Sequence, residues 1–482
     1  MDTHRLLRPL LACTIGIGLA SCATRNPGTN LDGKWPLTEP TVDLSAYESA
    51  QNRPGQRKDI AVAVAISGGG MRAANFAAGV LQALEATPVR GADGRPSNLL
   101  REVDYFSTVS GGGLAAGCYI TDLNEYLRNH PEDPTARGFS FSALGKEQKG
   151  SGVRNWRDTL SRDYQSSLVR AFFDPRMLGS LDRGDVLERR LDDSVLGKQD
   201  GRSLTLGDVF VPKGTTPHLP YWVANGTVYE NGAIFPFTPD ILEKYGITGY
   251  KHQMRAYRLN SPGDLPLAVG LKTSASFPVA IPPSTLKSNL DHGNPRLHLM
   301  DGGVADNLGV VTALRLLAQD RASRKVLIII DAYNGDIEPF SKRGVRPGMV
   351  RSALRTTSIS LDSSHQRLGN LLNKVGEKDG IQYALIDFRR ALQAKDDEPG
   401  ATGDEFLHAL GIGRMTRDET SPPSIQAVFT QALGVATRLK IDRKAQDTLL
   451  KAGENAIYLQ RAAPGSNGTR LLPEMRRIQQ LF

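Results

Sequence analysis

The sequence predicts an α/β fold with a mainly parallel central sheet, and three observations carry that prediction. Ile60 to Ile66, read IAVAVAI, is apolar without a break, which is the pattern of a strand covered on both faces. A serine and three glycines at 67 to 70 stop it. Met71 to Ala86 then places Phe76, Val80, Leu81 and Leu84 at helical spacing. The same strand–turn–helix order recurs from Val103 to Val109, through a glycine turn, to a helix from Leu114 to Arg128. Repetition of that unit is the mark of a parallel sheet with crossover helices. The third observation is Val326 to Ile330, another uninterrupted apolar strand, which follows a helical pattern from Val310 to Gln319.

The remaining elements follow in order. Residues 24 to 58 are polar, rich in Pro, Gly, Asn and Asp, and without periodicity, so they read as a tether. Residues 138 to 200 combine many Arg and Asp with apolar residues at helical spacing, including Leu168, Phe172, Phe173, Met177 and Leu178. They read as an inserted helical cap. Tyr221 to Asn225, Ala256 to Leu259 and the alternating Arg296 to Met300 read as strands. Val350 to Lys378 reads as a long helical region and Arg443 to Leu459 as a helix near the C-terminus. The domain division is therefore 59–335 for the α/β domain, with the cap inside it, and 336–482 for a helical extension packed on the core. No internal repeat is visible.

Three segments carry chemistry. In FSTVSGGGLAAG, Ser110 stands between a strand and a helix with small residues after it, the layout of a nucleophile elbow that lifts a serine hydroxyl to the open end of a sheet. The turn Gly68, Gly69, Gly70 also joins a strand to a helix start. Its N–H groups and the helix dipole suit an oxyanion, and each well-placed donor is worth roughly 10²–10³ in rate. Gly68-x-Gly70-x-x-Ala73 also fits a dinucleotide fingerprint loosely, yet no acidic residue ends the second strand, and no Gly-Lys-Ser/Thr follows as in a nucleotide P-loop. Arg72 is either a loop-positioning or phosphate-contacting arginine, or a surface residue at a helix start. In RLHLMDGGVADNLG, Asp301 ends a strand before two glycines and is placed to accept the serine proton. Taken alone it reads equally as a turn aspartate bonding its own backbone. His298 is three residues from Asp301, so on a strand it faces the other side. His218, His252, His292 and His365 lie in polar segments without a site signature. The pattern points to a Ser–Asp dyad rather than a triad.

At the N-terminus, Arg5 and Arg8 precede an apolar run from Leu10 to Ala20, shorter than the roughly 20 residues a membrane-spanning helix needs. Leu19-Ala20-Ser21-Cys22 resembles the lipobox of bacterial lipoproteins. That resemblance implies a signal peptide over 1–21, acylation of Cys22, a tether over 22–58, and anchorage in the bacterial cell envelope. Ala23 favours the outer membrane over the inner. An ordinary secretory signal is the alternative. Of three cysteines, Cys13 would leave with the signal, Cys22 would carry lipid, and Cys118 is a core residue. No disulfide or cysteine metal cluster is then available. The net charge of +8 and pI of about 9.3 come without a basic run or aromatic interleaving. No nucleic-acid partner is indicated, whereas attraction to anionic headgroups and simple solubility both fit.

Together, ISGGGMRAA at 66–74, STVSGGG at 107–113 and MDGGVADNLG at 300–309 resemble the patatin-like phospholipases. TSASFPVAIPP at 273–283 resembles that family's Ser/Ala/Pro-rich stretch. The order and spacing agree over about residues 60 to 335. The resemblance implies a three-layer fold with helices on both sheet faces and a helical cap. It also implies a Ser110 nucleophile, an Asp301 base, an oxyanion hole from Gly68, Gly69 and Gly70, a positioning Arg72, and an Asn307 that braces the loop after Asp301. No metal or cofactor is required, and the expected substrate is a membrane phospholipid or lysophospholipid ester. One departure stands out: Thr108 occupies a position, two before the nucleophile, where the family has glycine. It leaves open a catalytically silent lipid-binding lipoprotein, beside a serine esterase or thioesterase acting on other acyl groups.

Overall fold

In a computed structural model of the chain, the residues described are 40–146, 155–171, 174, 182–199, 201–253, 255–278, 280–290, 296–332, 380–387, 431–432, 435, 437–460 and 470–482. The predicted signal peptide and Cys22, the helical region 350–378, and Phe172, Phe173, Met177 and Leu178 of the cap lie outside the described residues.

Ten strands form one sheet. In chain order they are β1 (Ile60–Ile66), β2 (Tyr105–Thr108), β3 (Tyr221–Val228), β4 (Ile234–Pro236), β5 (Ile247–His252), β6 (Arg255–Arg258), β7 (Ser284–Ser288), β8 (Arg296–Asp301), β9 (Arg324–Asp331) and β10 (Ile381–Asp387). The spatial order is β6-β5-β7-β8-β3-β2-β1-β9-β10, with β4 added beside β3. From β3 to β10 the pairing is parallel, as the two strand–turn–helix units predict. On the other side of β3 every pairing is antiparallel. That flank was legible only in part: β6 and β8 match the strands read near Ala256–Leu259 and Arg296–Met300, whereas β5 and the short β7 mix buried and open residues, so neither carries the apolar run of a covered strand.

All seven residues of β1 are buried. Successive side chains point to opposite faces, so both faces of the sheet centre are covered. Helices α1 (Gly70–Glu85), α2 (Gly112–Asn129), α3 (Tyr164–Ala171), α4 (Arg183–Leu191), α5 (Leu267–Ser274), α6 (Val310–Gln319) and α7 (Arg443–Asn455) supply the layers and the cap. The helical character predicted for 138–200 holds in α3 and α4, and Trp156 stacks on Phe141 beneath them at 4.7 Å between ring centres. Cys118 is buried on α2.

Two boundaries differ from the sequence reading. The segment read as a tether to residue 58 is already packed by Val42, with Tyr47 and Ala50 buried against the core. Arg53 reaches into the base of the sheet, donating to the Asp104 carboxylate at 3.0 Å and the Val103 carbonyl at 2.6 Å. The C-terminal extension, in turn, is part of the fold. It contributes β10 to the sheet, and α7 crosses α1 so closely that a Cβ on Gly79 would meet the Leu450 carbonyl oxygen at 2.2 Å. The reciprocal Cβ on Gly453 would meet the Phe76 carbonyl oxygen at 2.2 Å. Two glycines, one per helix, let the backbones touch. Among the described residues, no helix is long and apolar enough to cross a membrane.

Candidate active site

Strand register sets the site. Ile66, Thr108 and Ala224 are aligned across β1, β2 and β3. Ser110 follows two residues after Thr108, and Asp301 pairs with Gly226, two residues after Ala224. Both side chains therefore sit at one level, just beyond the carboxyl ends of the parallel strands. Asp301 arrives there on a strand running the opposite way to β3, so one sheet edge collects the end of β2 and the end of β8.

The turn at Ser110 has the geometry of an elbow. Ser110 is half-buried and takes φ +49°, in the left-handed region, which costs a non-glycine residue of order 1–3 kcal/mol and persists only where surroundings enforce it. Here the surroundings are specific. The Ser110 N–H donates to Ser274 Oγ at 2.9 Å, and the Ser110 carbonyl accepts from Gly113 N–H at 3.0 Å. A Cβ on Gly111 would lie 2.0 Å from the Gly70 carbonyl oxygen, and one on Gly112 would lie 2.6 Å from that of Ser67. Glycine at these two positions is what lets α2 start directly under the turn and lets the elbow touch the glycine loop.

Thr108 is packed into the turn by specific contacts. Its Oγ1 accepts from the buried Trp222 indole N–H at 2.9 Å, and a Cβ on Gly113 would come within 3.2 Å of that oxygen. The bulk missing at 113 makes room for the bulk added at 108. Thr108→Gly is expected to lower stability by about 2 kcal/mol, since it opens a void and strands the indole donor, and to leave kcat/KM no higher than in the parent. Denaturant titration and initial rates on the purified variant check both.

Asp301 is 4% exposed. Its carboxylate accepts from Gly303 N–H at 2.8 Å and from the Ser110 hydroxyl. Burial raises its pKa to about 7, against the lowering effect of those two hydrogen bonds, so desolvation dominates. The backbone around it is fixed by Thr227 Oγ1, which donates to the Asp301 carbonyl at 2.8 Å, and by the Asp301 N–H, which donates to the Ser276 carbonyl at 3.1 Å. The sequence pattern leaves Asp301 between a base and a turn aspartate. In the fold it caps the turn through Gly303 and bonds Ser110 as well.

The glycine loop needs one correction. The expected oxyanion hole includes Gly68, but its N–H donates to the Asn307 carbonyl at 2.9 Å and is occupied. A Cβ at Gly68 would strike Asn307 Oδ1 at 2.5 Å, so Gly68 is where the two loops meet. Asn307 braces the glycine loop through that contact. Gly69 (φ +144°) and Gly70 (φ +59°) occupy glycine-favoured backbone. Their N–H groups, at the amino end of α1, meet no backbone acceptor among the described residues. The Arg72 side chain is buried, with Nη1 donating to the Val435 carbonyl at 3.2 Å. It joins the loop to the C-terminal segment and is not a surface residue.

Sequence reasoning missed Asn225. It is buried in β3, its Nδ2 donates to Ser107 Oγ at 3.0 Å and to the Thr108 carbonyl at 3.1 Å, and its Oδ1 accepts from Thr312 Oγ1 at 2.7 Å. It ties the strand before Ser110 to α6. An asparagine within a strand that is buried at every position was the available signal. Ser274 lay within a recognised motif without being singled out. The histidines stand apart: His298 pairs with Glu230 at 2.7 Å, and His252 pairs with Glu188. His292 and His365 lie outside the described residues. Among the described residues no group of three or more His, Cys, Asp or Glu could hold a metal ion.

A family model described as Patatin-like phospholipase matches residues 64–314. No curated protein matches the chain. Among solved structures, human GIVD cytosolic phospholipase A2 aligns with TM-score 0.41 and 12% identity, over 83% of this chain and 58% of that one. The same human protein in complex with methyl gamma-linolenyl fluorophosphonate inhibitor and terbium chloride aligns with TM-score 0.36 and 13% identity, over 88% and 60%. The chain thus spans less than two thirds of the length of these neighbours.

Proposed function

The chain belongs to the patatin-like phospholipase family, and from that premise we propose that it is a lipid acyl hydrolase cleaving phospholipid or lysophospholipid esters through Ser110 and Asp301. The observation that carries the reading is the left-handed Ser110 whose hydroxyl is hydrogen-bonded to a buried Asp301. Around that pair the chemistry is direct. Ionised Asp301 accepts the Ser110 Oγ proton as Oγ attacks the ester carbonyl carbon. The carbonyl oxygen becomes an oxyanion and meets the Gly69 and Gly70 N–H groups. The tetrahedral species collapses to an acyl-serine, and the leaving alcohol takes the proton from Asp301. Water then gives a proton to Asp301 and its oxygen to the acyl carbon. Collapse of the second tetrahedral species releases the fatty acid and returns the proton to Ser110. The scheme uses no cofactor.

The alternative of a silent lipid-binding scaffold rested on Thr108, and the Trp222–Thr108–Gly113 packing, which seats the threonine in the turn, supports the catalytic reading over it. The lipobox reading places Cys22, acylated, at the end of a tether and holds the enzyme at its substrate surface. The helical cap then shapes the acyl-chain site. Intact-mass analysis of the mature protein checks the lipid on Cys22. The substrate class is checked by rates on phosphatidylcholine, lysophosphatidylcholine, p-nitrophenyl butyrate and acyl-CoA. Turnover of the two phospholipids supports the proposal, and turnover of the soluble ester or thioester alone replaces it with a general esterase.

A further inference from the structure

The cap holds a second site candidate that the hydrolytic chemistry does not use. Between α3 and α4 lies a cavity of about 280 Å³, open to solvent on one side, whose lining includes the exposed Arg162, Arg170 and Arg190, together with Ser166 and Ser167. That is several times the roughly 30 Å³ share of one liquid water. None of the three guanidinium groups is paired with a carboxylate among the described residues. The one acid in the lining, Asp163, is already engaged. Its carboxylate pairs with Lys440 at 2.6 Å and accepts from the Ser166 N–H and hydroxyl at 2.7 and 2.6 Å. Three planar, permanently charged forks around one cavity suit a phosphate oxyanion, which guanidinium binds bidentately. Beside Arg170, Val169 leaves half its surface exposed.

The cavity is strapped to the active-site loop. The Leu439 carbonyl accepts the N–H groups of Tyr164 and Gln165 at the start of α3, and the carbonyl of the preceding Arg438 accepts the Met71 N–H at 2.8 Å. Consecutive Cα atoms are about 3.8 Å apart, so the arginine cavity and the glycine loop flank the same short segment.

We propose that the Arg162–Arg170–Arg190 cavity binds the headgroup phosphate of an anionic phospholipid in the membrane surface and so seats the cap, with the glycine loop beside it, on the bilayer. It is a binding site apart from the ester-cleaving centre, and it adds to the lipid hydrolase reading without depending on turnover.

The test measures sedimentation of the full chain carrying Ser110→Ala, so that no lipid is consumed, with phosphatidylcholine vesicles lacking or containing phosphatidylglycerol. Arg162→Gln/Arg170→Gln/Arg190→Gln is compared with a control of equal charge change, Arg90→Gln/Arg258→Gln/Arg296→Gln, on exposed positions elsewhere. Only arginines held against the anionic bilayer contribute to its attraction, which falls off within a Debye length, and those facing elsewhere contribute little. The cavity variant is therefore expected to lose phosphatidylglycerol-dependent binding by about tenfold or more, and the control by about twofold or less. Matched melting curves establish that both variants are folded. Equal loss in both variants overturns the proposal in favour of net charge. A melting shift with inorganic phosphate that the cavity variant abolishes, without any difference in vesicle binding, overturns it in favour of a soluble phosphate ligand. Because binding is read without hydrolysis, its failure leaves the Ser110–Asp301 reading standing, and the reverse also holds.

Discussion

Ser110→Ala is expected to abolish labelling by a fluorophosphonate and to lower ester hydrolysis by about 10⁴-fold or more, with the fold intact. In a serine hydrolase the nucleophile acts with its base as a unit, so losing it removes nearly the whole chemical contribution and leaves only what binding and the oxyanion donors supply. The fold should hold because alanine keeps the Cβ. That atom faces the same left-handed backbone as serine, and the Ser110 N–H to Ser274 bond is unaffected. The Asp301 carboxyl loses one hydrogen bond that holds its pKa down, which stabilises its neutral form and adds no buried charge at neutral pH. Ser110→Gly should be equally inactive and slightly more resistant to denaturant, by about 1 kcal/mol at most, because glycine relieves the strain at φ +49° while gaining entropy in the unfolded chain. Persistent labelling in Ser110→Ala would remove Ser110 as the nucleophile. Loss of activity together with a collapsed melting curve would make the variant uninformative about chemistry, and Ser110→Gly then decides.

What the sequence disclosed about this site follows from the physics of each residue. β1 and β9 could be read because a strand covered on both faces must be apolar at successive positions. Ser110 could be read because a tight strand-to-helix turn demands glycines beneath it, and Gly111 and Gly112 are those glycines. The phase of His298 was legible from strand alternation alone, and the Glu230 partner lies where that phase puts it. Gly68 could not be judged from sequence. Whether an N–H is offered to a ligand depends on whether another chain segment has taken it, and the Asn307 carbonyl that does so is more than 200 residues away. Thr108 was misleading for a similar reason: its compensation at Gly113 and Trp222 exists only in the packed fold. The stretch before residue 58 looked like a tether because Val42, Tyr47 and Ala50 are scattered among polar residues in short turns with no period to detect. In the antiparallel flank β6 and β8 were read, but β5 and β7 failed to register because they are short and partly open to solvent.

Asp301→Asn is expected to separate activity from stability, and pH is the variable that exposes it. The carboxyl titrates near the ordinary aspartate value of 3.8 when unfolded and at about 7 when folded. Across that interval the native state holds a proton that the unfolded state has released, so stability is fully present below about pH 4 and falls as pH rises toward 7. Above 7 the loss is complete, and each pH unit between the two titrations corresponds to about 1.4 kcal/mol. Asparagine is neutral throughout. Its amide oxygen can still accept from Gly303, and its nitrogen can donate to Ser110 Oγ, so the local hydrogen bonds survive the exchange. The variant should therefore melt with the parent near pH 4 and above it at pH 8, by an amount equivalent to roughly 2–4 kcal/mol. The same variant should be inactive by about 10³-fold or more at every pH, because it cannot take the serine proton. The parent should show kcat/KM rising through an apparent pKa near 7, losing about tenfold for each pH unit below it. If the two proteins instead melt in parallel across pH, burial does not hold Asp301 protonated. A rising limb centred near pH 4 would assign the base to an ordinary exposed carboxylate. Agreement of the kinetic and melting midpoints is the stronger outcome, since it ties the group that costs stability to the group that accepts the proton.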